Sequence, residues 1–88
     1  MLKKIAILGS TGSIGKSLLK IINKDKKNFT ITLLSARKNY KELLKQAKAF
    51  NVKNVILTDK KFFELYKFKF IKEKINIFNN YDSLKRII

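Results

Sequence analysis

The sequence predicts an α/β fold, a parallel sheet of about four strands with helices on both faces, incomplete as it stands. Three observations predict it. Short apolar and β-branched runs alternate with segments whose apolar residues recur at helical spacing. The first run leads without a break into Gly9-Ser10-Thr11-Gly12-Ser13-Ile14-Gly15, which opens the first helical segment. The chain stops at Ile87-Ile88 inside a helical pattern, an apolar end that suits a piece of a larger domain.

Taken in order, Lys3-Lys4-Ile5-Ala6-Ile7-Leu8 is a short apolar run of the kind found in buried parallel strands. From Ser13 to about Asn23, Ile14, Leu18, Ile21 and Ile22 fall at the spacing of an apolar helix face. A polar break over Asn23–Asn28 follows, and then Phe29-Thr30-Ile31-Thr32-Leu33-Leu34, whose aromatic and β-branched bias marks a second strand. Ser35-Ala36-Arg37-Lys38-Asn39 reads as a polar loop, and Tyr40, Leu43, Leu44, Ala47 and Phe50 as one side of a second helix. Asn54–Thr58 is a third strand, after which Asp59 is placed to cap a helix carrying Phe62, Leu65 and Tyr66. Phe68-Lys69-Phe70 suits helix or strand equally, Ile75–Phe78 is a fourth strand, and Tyr81–Ile88 begins a fourth helix. Strands alternating with helices over short connections build a parallel sheet with right-handed crossovers. No repeat or linker divides the chain, so residues 1–88 read as one unit.

The composition narrows the chemistry. Nothing approaches the roughly 20 apolar residues that span a bilayer. Met1-Leu2-Lys3-Lys4 leads into too short an apolar stretch for a secretory signal, and no membrane partner is expected. Cysteine is absent, which excludes disulfides and thiolate metal sites; histidine is absent too, which removes the commonest general base. The expected compartment is cytoplasmic, or plastid if a transit peptide has been lost. Lys and Arg number 21 against 6 Asp and Glu, a net charge of +15 that favours any polyanion through counterion release. The lysines are scattered, however (Lys3, Lys20, Lys45, Lys60, Lys74 and Lys85 fall in different segments), and the Lys, Ile, Asn and Phe bias fits an AT-rich genome. Nucleic acid is therefore a secondary reading of the charge.

The stretch Gly9–Ser17 contains two phosphate-binding patterns at once. Its end, Gly15-Lys16-Ser17, looks like the close of a mononucleotide P-loop, but that loop needs four residues between its first glycine and the Gly-Lys pair, and five separate Gly9 from Gly15. No strand before residue 59 ends in an acid of the Walker B kind. The dinucleotide reading fits its context better: strand, glycines, helix, in that order, as in Rossmann-like folds. Gly9 would allow the tight exit from the strand, Gly12 the close approach of a pyrophosphate, and Gly15 the close packing of the helix on the sheet. The amides of Thr11, Gly12, Ser13 and Ile14 would then face phosphates at the positive end of the helix, with the Thr11 and Ser13 hydroxyls as further donors.

The end of the second strand separates the two nicotinamide cofactors. A site for NADH would place an acid there to accept from the ribose hydroxyls, and Ser35–Asn39 contains none. Arg37 and Lys38 suit the 2′-phosphate of NADPH, with Ser35 and Asn39 as hydrogen-bonding neighbours.

Ile7–Gly15, the apolar-to-polar run Leu33–Asn39 with its Ala36-Arg37-Lys38-Asn39, and Gln46-Ala47-Lys48-Ala49-Phe50 in the second helix together resemble the N-terminal part of 1-deoxy-D-xylulose 5-phosphate reductoisomerases. Val55 and Asp59 suit that family's third strand and its exit, and the resemblance is carried by residues 1 to about 59. It implies an enzyme of non-mevalonate isoprenoid biosynthesis. That family rearranges 1-deoxy-D-xylulose 5-phosphate and reduces the resulting aldehyde to 2-C-methyl-D-erythritol 4-phosphate with NADPH and Mg²⁺ or Mn²⁺, as a homodimer. The resemblance implies that Thr11, Gly12, Ser13 and Ile14 meet the cofactor phosphates and that Arg37, Lys38 and Asn39 surround the 2′-phosphate. Arg37 departs from the family, which usually has glycine there. The larger departure is length: the family runs to several times 88 residues, and Asp25, Glu42, Asp59, Glu64, Glu73 and Asp82 are too dispersed to cage a metal. The expectation is an NADPH-binding portion whose catalytic and C-terminal domains are absent, with no catalytic or metal-ligating residues of its own.

Two other readings stay open at this point. One is a different NADP-dependent reductase with the same glycine turn, such as a semialdehyde or acyl-phosphate reductase. The other is a small basic nucleic-acid-binding module, for which Tyr66, Phe68 and Phe70 among Lys67, Lys69 and Lys72 would have to stack on bases.

Overall fold

The computed structural model describes residues 3–83. The elements run β1 (Lys3–Ile7), α1 (Ser13–Asn23), β2 (Phe29–Ala36), α2 (Tyr40–Ala49), β3 (Asn54–Leu57), α3 (Lys60–Ile71) and β4 (Asn76–Phe78), with one-turn 3-10 helices at Lys26–Asn28 and Tyr81–Ser83. All neighbouring strands are parallel and lie in the order β1-β2-β3-β4. The architecture is the α/β, Rossmann-like one expected from the alternation.

A strand order that advances one place at a time, with right-handed crossovers, puts successive helices on the same side. Leu19 and Ile22 of α1, Leu43 and Ala47 of α2 and Phe70 of α3 accordingly share one core with Ile7, Leu34, Ala36, Val55 and Leu57. The alternate residues Leu33, Ser35 and Ile56 face the other side and are buried as well. There the chain returns after β4: the Tyr81 hydroxyl lies 3.1 Å from Ser35 Oγ. Of the helices expected on both faces, the described residues give the second face this one-turn helix alone. The fourth helix expected from Tyr81 onward is a 3-10 turn over its first three residues, and its remainder lies outside the described residues.

Three local expectations are corrected. First, α1 buries Gly15, Leu19 and Ile22, whereas Ile14, Leu18 and Ile21 are 79%, 44% and 65% exposed. Paired apolar residues at 18–19 and 21–22 offer two possible faces, and the close approach of Gly15 to the preceding loop selects one. Second, β2 continues two residues into the supposed polar loop, with Ser35 opposite Ile56 and Ala36 opposite Leu57. Small side chains fit there, and the Ser35 hydroxyl is satisfied by the Gly9 amide at 2.9 Å. Third, Leu65 is exposed, and Phe70 is the α3 residue sealed in the core. Phe68–Phe70, ambiguous in sequence, is helical.

Both later helices begin on side-chain caps. Asn39 Oδ1 accepts from the Glu42 amide (3.2 Å), and Asp59 Oδ1 accepts from the Phe62 amide (3.0 Å), the cap that Asp59 was expected to supply. They end on left-handed residues, Asn51 (φ 57°) and Lys74 (φ 61°). Those residues turn Val52 and Ile75 back into the core through bonds to Ala47 O and Phe70 O.

Candidate functional site

The loop between β1 and α1 is shaped by its glycines and held from two sides. Gly9 has φ 69°, the left-handed conformation that favours glycine. A Cβ on Gly15 would lie 2.6 Å from both Gly9 O and Ser10 Cα, so a side chain there would force α1 off the loop. Gly15 therefore serves helix-to-loop packing rather than the helix-to-sheet packing expected. A Cβ on Gly12 would meet nothing closer than Gly9 O at 3.5 Å, so Gly12 leaves its approach open. Ser10 is fully buried. Its amide donates to Ser35 O (2.8 Å), its hydroxyl donates to the same oxygen (3.3 Å), and its carbonyl accepts from Gln46 Nε2 (3.0 Å).

These bonds decide which donors are free. The first intrahelical bond of α1 runs from the Lys16 amide to Gly12 O, so the amides of Ser13, Ile14 and Gly15 have no partner within the helix. The Gly12 amide, expected to be free, is instead donated to Gly9 O at 3.1 Å. Among the described residues the Thr11 amide has no backbone partner. Where α2 and α3 have side-chain caps and α2 also has Glu42 in its first turn, α1 has neither a side-chain cap nor an acid in its first turn. Its positive end is thus left uncompensated. Lys16 lines a cleft between α1 and α2 with Lys20 and Lys45, which is no position for a P-loop lysine.

The second half of the site follows from β2. Because Ser10 and Gly9 are bonded to Ser35, the loop that follows Ala36 starts beside the glycine turn. Arg37, Lys38 and Asn39 are all exposed. Arg37 is not among the residues with positive φ, so an arginine is accommodated without strain where the resembling family has glycine. Lys38 Nζ sits 4.0 Å from Asp59 Oδ2 and 5.9 Å from the Phe62 ring centroid. Asn39 Oδ1 is engaged as the α2 cap, and the buried Ser35 hydroxyl is engaged with Gly9, so Ser35 is no ligand-facing neighbour. The sequence reading missed Gln46 as a member of the site. Its one signal was its place in the Gln46–Phe50 resemblance; its contact with the loop spans 36 residues and leaves no local trace.

Among the described residues, no three of His, Cys, Asp and Glu gather to hold a metal ion, and no helix is long and apolar enough to cross a membrane. Of the three aromatics that a nucleic-acid module would use, Phe68 alone is exposed. Phe70 is buried, and Tyr66 stacks on Tyr40 with ring centroids 3.7 Å apart.

Comparison with known proteins points the same way. The profile of the 1-deoxy-D-xylulose 5-phosphate reductoisomerase family matches residues 5–88, further than the motifs alone carried the likeness. The reductoisomerase of Pelagibacter ubique (strain HTCC1062) is 62% identical over 87 residues, which are 98% of this chain and 22% of that protein. That of Chloroherpeton thalassium is 48% identical over 56 residues, 64% of this chain and 14% of that protein. A reductoisomerase from Zymomonas mobilis, solved in complex with NADPH, superposes with a TM-score of 0.86 at 26% identity, covering 99% of this chain and 23% of that one. A second, solved with NADPH, fosmidomycin and magnesium, gives 0.85 at 27%, covering 98% of this chain and 21% of that one. The chain thus spans about a fifth of the length of the proteins it matches. Fold and sequence agree over nearly its whole extent, and the chain belongs to the 1-deoxy-D-xylulose 5-phosphate reductoisomerase family.

Proposed function

We propose that residues 1–88 form the N-terminal portion of an NADPH-binding domain and hold the phosphates of the cofactor for the reductoisomerase reaction. The observation that carries this reading is the open N-terminus of α1. Among the described residues the amides of Thr11, Ser13 and Ile14 lack partners there, while the other two helices close their ends with Asn39 and Asp59. In this reading those amides receive the pyrophosphate, and Gly12 contributes by lacking a Cβ rather than by donating. Gly9 and Gly15 set the shape of the turn. Arg37 and Lys38 receive the 2′-phosphate, and Asn39 adds its free amide end. A guanidinium and an ammonium at this point, with no acid on the same loop, favour NADPH over NADH.

Bound NADPH supplies a hydride to the substrate aldehyde; what this chain contributes is the grip and orientation of the nucleotide end. Six dispersed acids do not fit a Mg²⁺ or Mn²⁺ site, so metal binding, substrate binding and the homodimer contact are assigned to the four-fifths of the relatives' length that this chain does not match. The 88 residues alone are proposed to be inactive, and the compartment to be cytoplasmic.

The test is a titration of the chain with NADPH and with NADH at moderate salt. NADPH is expected to bind more tightly, and the double substitution Arg37→Ala and Lys38→Ala to narrow that preference about tenfold. A preference left unchanged by the double substitution removes the assignment at the end of β2.

A further inference from the structure

We propose that Gln46, on α2, is a positioning residue for the cofactor phosphates: it sets the Ser10–Thr11 peptide plane so that the Thr11 amide points into the crevice. This rests on the cofactor reading above and adds to it a residue whose side chain is braced against the back of the loop.

Gln46 is only 5% exposed. Its Nε2 donates both to Ser10 O (3.0 Å) and to Glu42 Oε2 (3.2 Å). Its Oε1 is buried and, among the described residues, has no hydrogen-bond partner. Turning the amide over would set Oε1 against two acceptors, so the donor end must face the loop. An apolar side chain would avoid the stranded Oε1 but leave Ser10 O without its donor, so the orphan Oε1 needs a reason. The bond to Ser10 O provides one. In a planar trans peptide the carbonyl and the following N–H point in opposite directions. Drawing Ser10 O inward onto Gln46 therefore turns the Thr11 N–H outward. Ser35, from the other side, fixes Gly9 and the Ser10 amide, and among the described residues the plane between Ser10 and Thr11 has no other brace on its carbonyl.

The experiment compares Gln46→Met with Leu43→Val, a buried α2 substitution in the apolar core that lowers stability and removes no hydrogen bond to the loop. Each variant is titrated with NADPH and with adenosine 2′-monophosphate, which carries the 2′-phosphate but no pyrophosphate. Gln46→Met is expected to weaken NADPH about tenfold while leaving adenosine 2′-monophosphate within about twofold. Leu43→Val is expected to shift the two ligands together. If Gln46→Met also shifts both ligands together, or shifts neither, Gln46 is packing alone and the inference is overturned. A wild-type chain indifferent to NADPH overturns the cofactor reading and this inference with it.

Discussion

At the scale of single residues, the site depends on side chains that are already committed as much as on those that are free. Ser35 and Asn39 looked alike in sequence, two small polar residues flanking Arg37 and Lys38. The fold spends the Ser35 hydroxyl on the Gly9 amide and one end of Asn39 on the α2 cap. Lys38 is shared in another sense, since Asp59 Oδ2 lies 4.0 Å from its ammonium. That carboxylate competes for the cation that the 2′-phosphate would use. Asparagine caps helices about as well as aspartate, so Asp59→Asn should keep the start of α3 and release Lys38. The expected outcome is a melting temperature within error of wild type and NADPH bound about two- to fivefold more tightly at low salt, because exposed pairs are worth little. Weaker binding by this variant would show that Asp59 helps rather than hinders. The sequence made the types of these residues legible but not the commitment of Ser35, whose partner Gly9 is 26 residues away, nor that of Lys38, whose neighbour Asp59 follows the next strand.

At the scale of elements, periodicity gave α1 its correct span, Ser13 to Asn23, and the wrong face. Apolar residues at 14, 18, 21 and 22 satisfy helical spacing, and so do 15, 19 and 22 once glycine is counted as a packing residue. Only the contact of Gly15 with the Gly9–Ser10 backbone, a tertiary fact, chooses between them. Leu19→Ala should therefore cost about 2–5 kcal/mol of stability, as buried leucine truncations do. Ile21→Ala, on the exposed side, should stay within about 0.5 kcal/mol. Equal losses in denaturant melts of the two variants would contradict the observed rotation of the helix. The same logic explains β2. Ser35 and Ala36 looked like loop by composition, yet small residues are what the crowded end of the central strand accepts beside the glycine turn. The third and fourth strands and the Asp59 cap were legible because their signals are local.

At the scale of the whole molecule, a strand order that advances steadily places α1, α2 and α3 on one face and brings the β1 loop beside the end of β2. The partner-free amides of the glycine turn and the basic loop after Ala36 thus start side by side, the placement that the proposed phosphate sites require. The net charge of +15 works against specificity, since any polyanion will be attracted. The discriminating question is whether NADPH is held at the α1 N-terminus or merely by the basic surface. The most direct measurement is an amide ¹H–¹⁵N titration of the chain with NADPH at about 0.15 M salt, where the screening length is ~8 Å. Saturable shifts concentrated at Thr11, Ser13, Ile14 and Arg37–Asn39 are the predicted result. Weak, non-saturating shifts spread over lysine-bearing faces of all three helices, with the glycine turn unmoved, would contradict it.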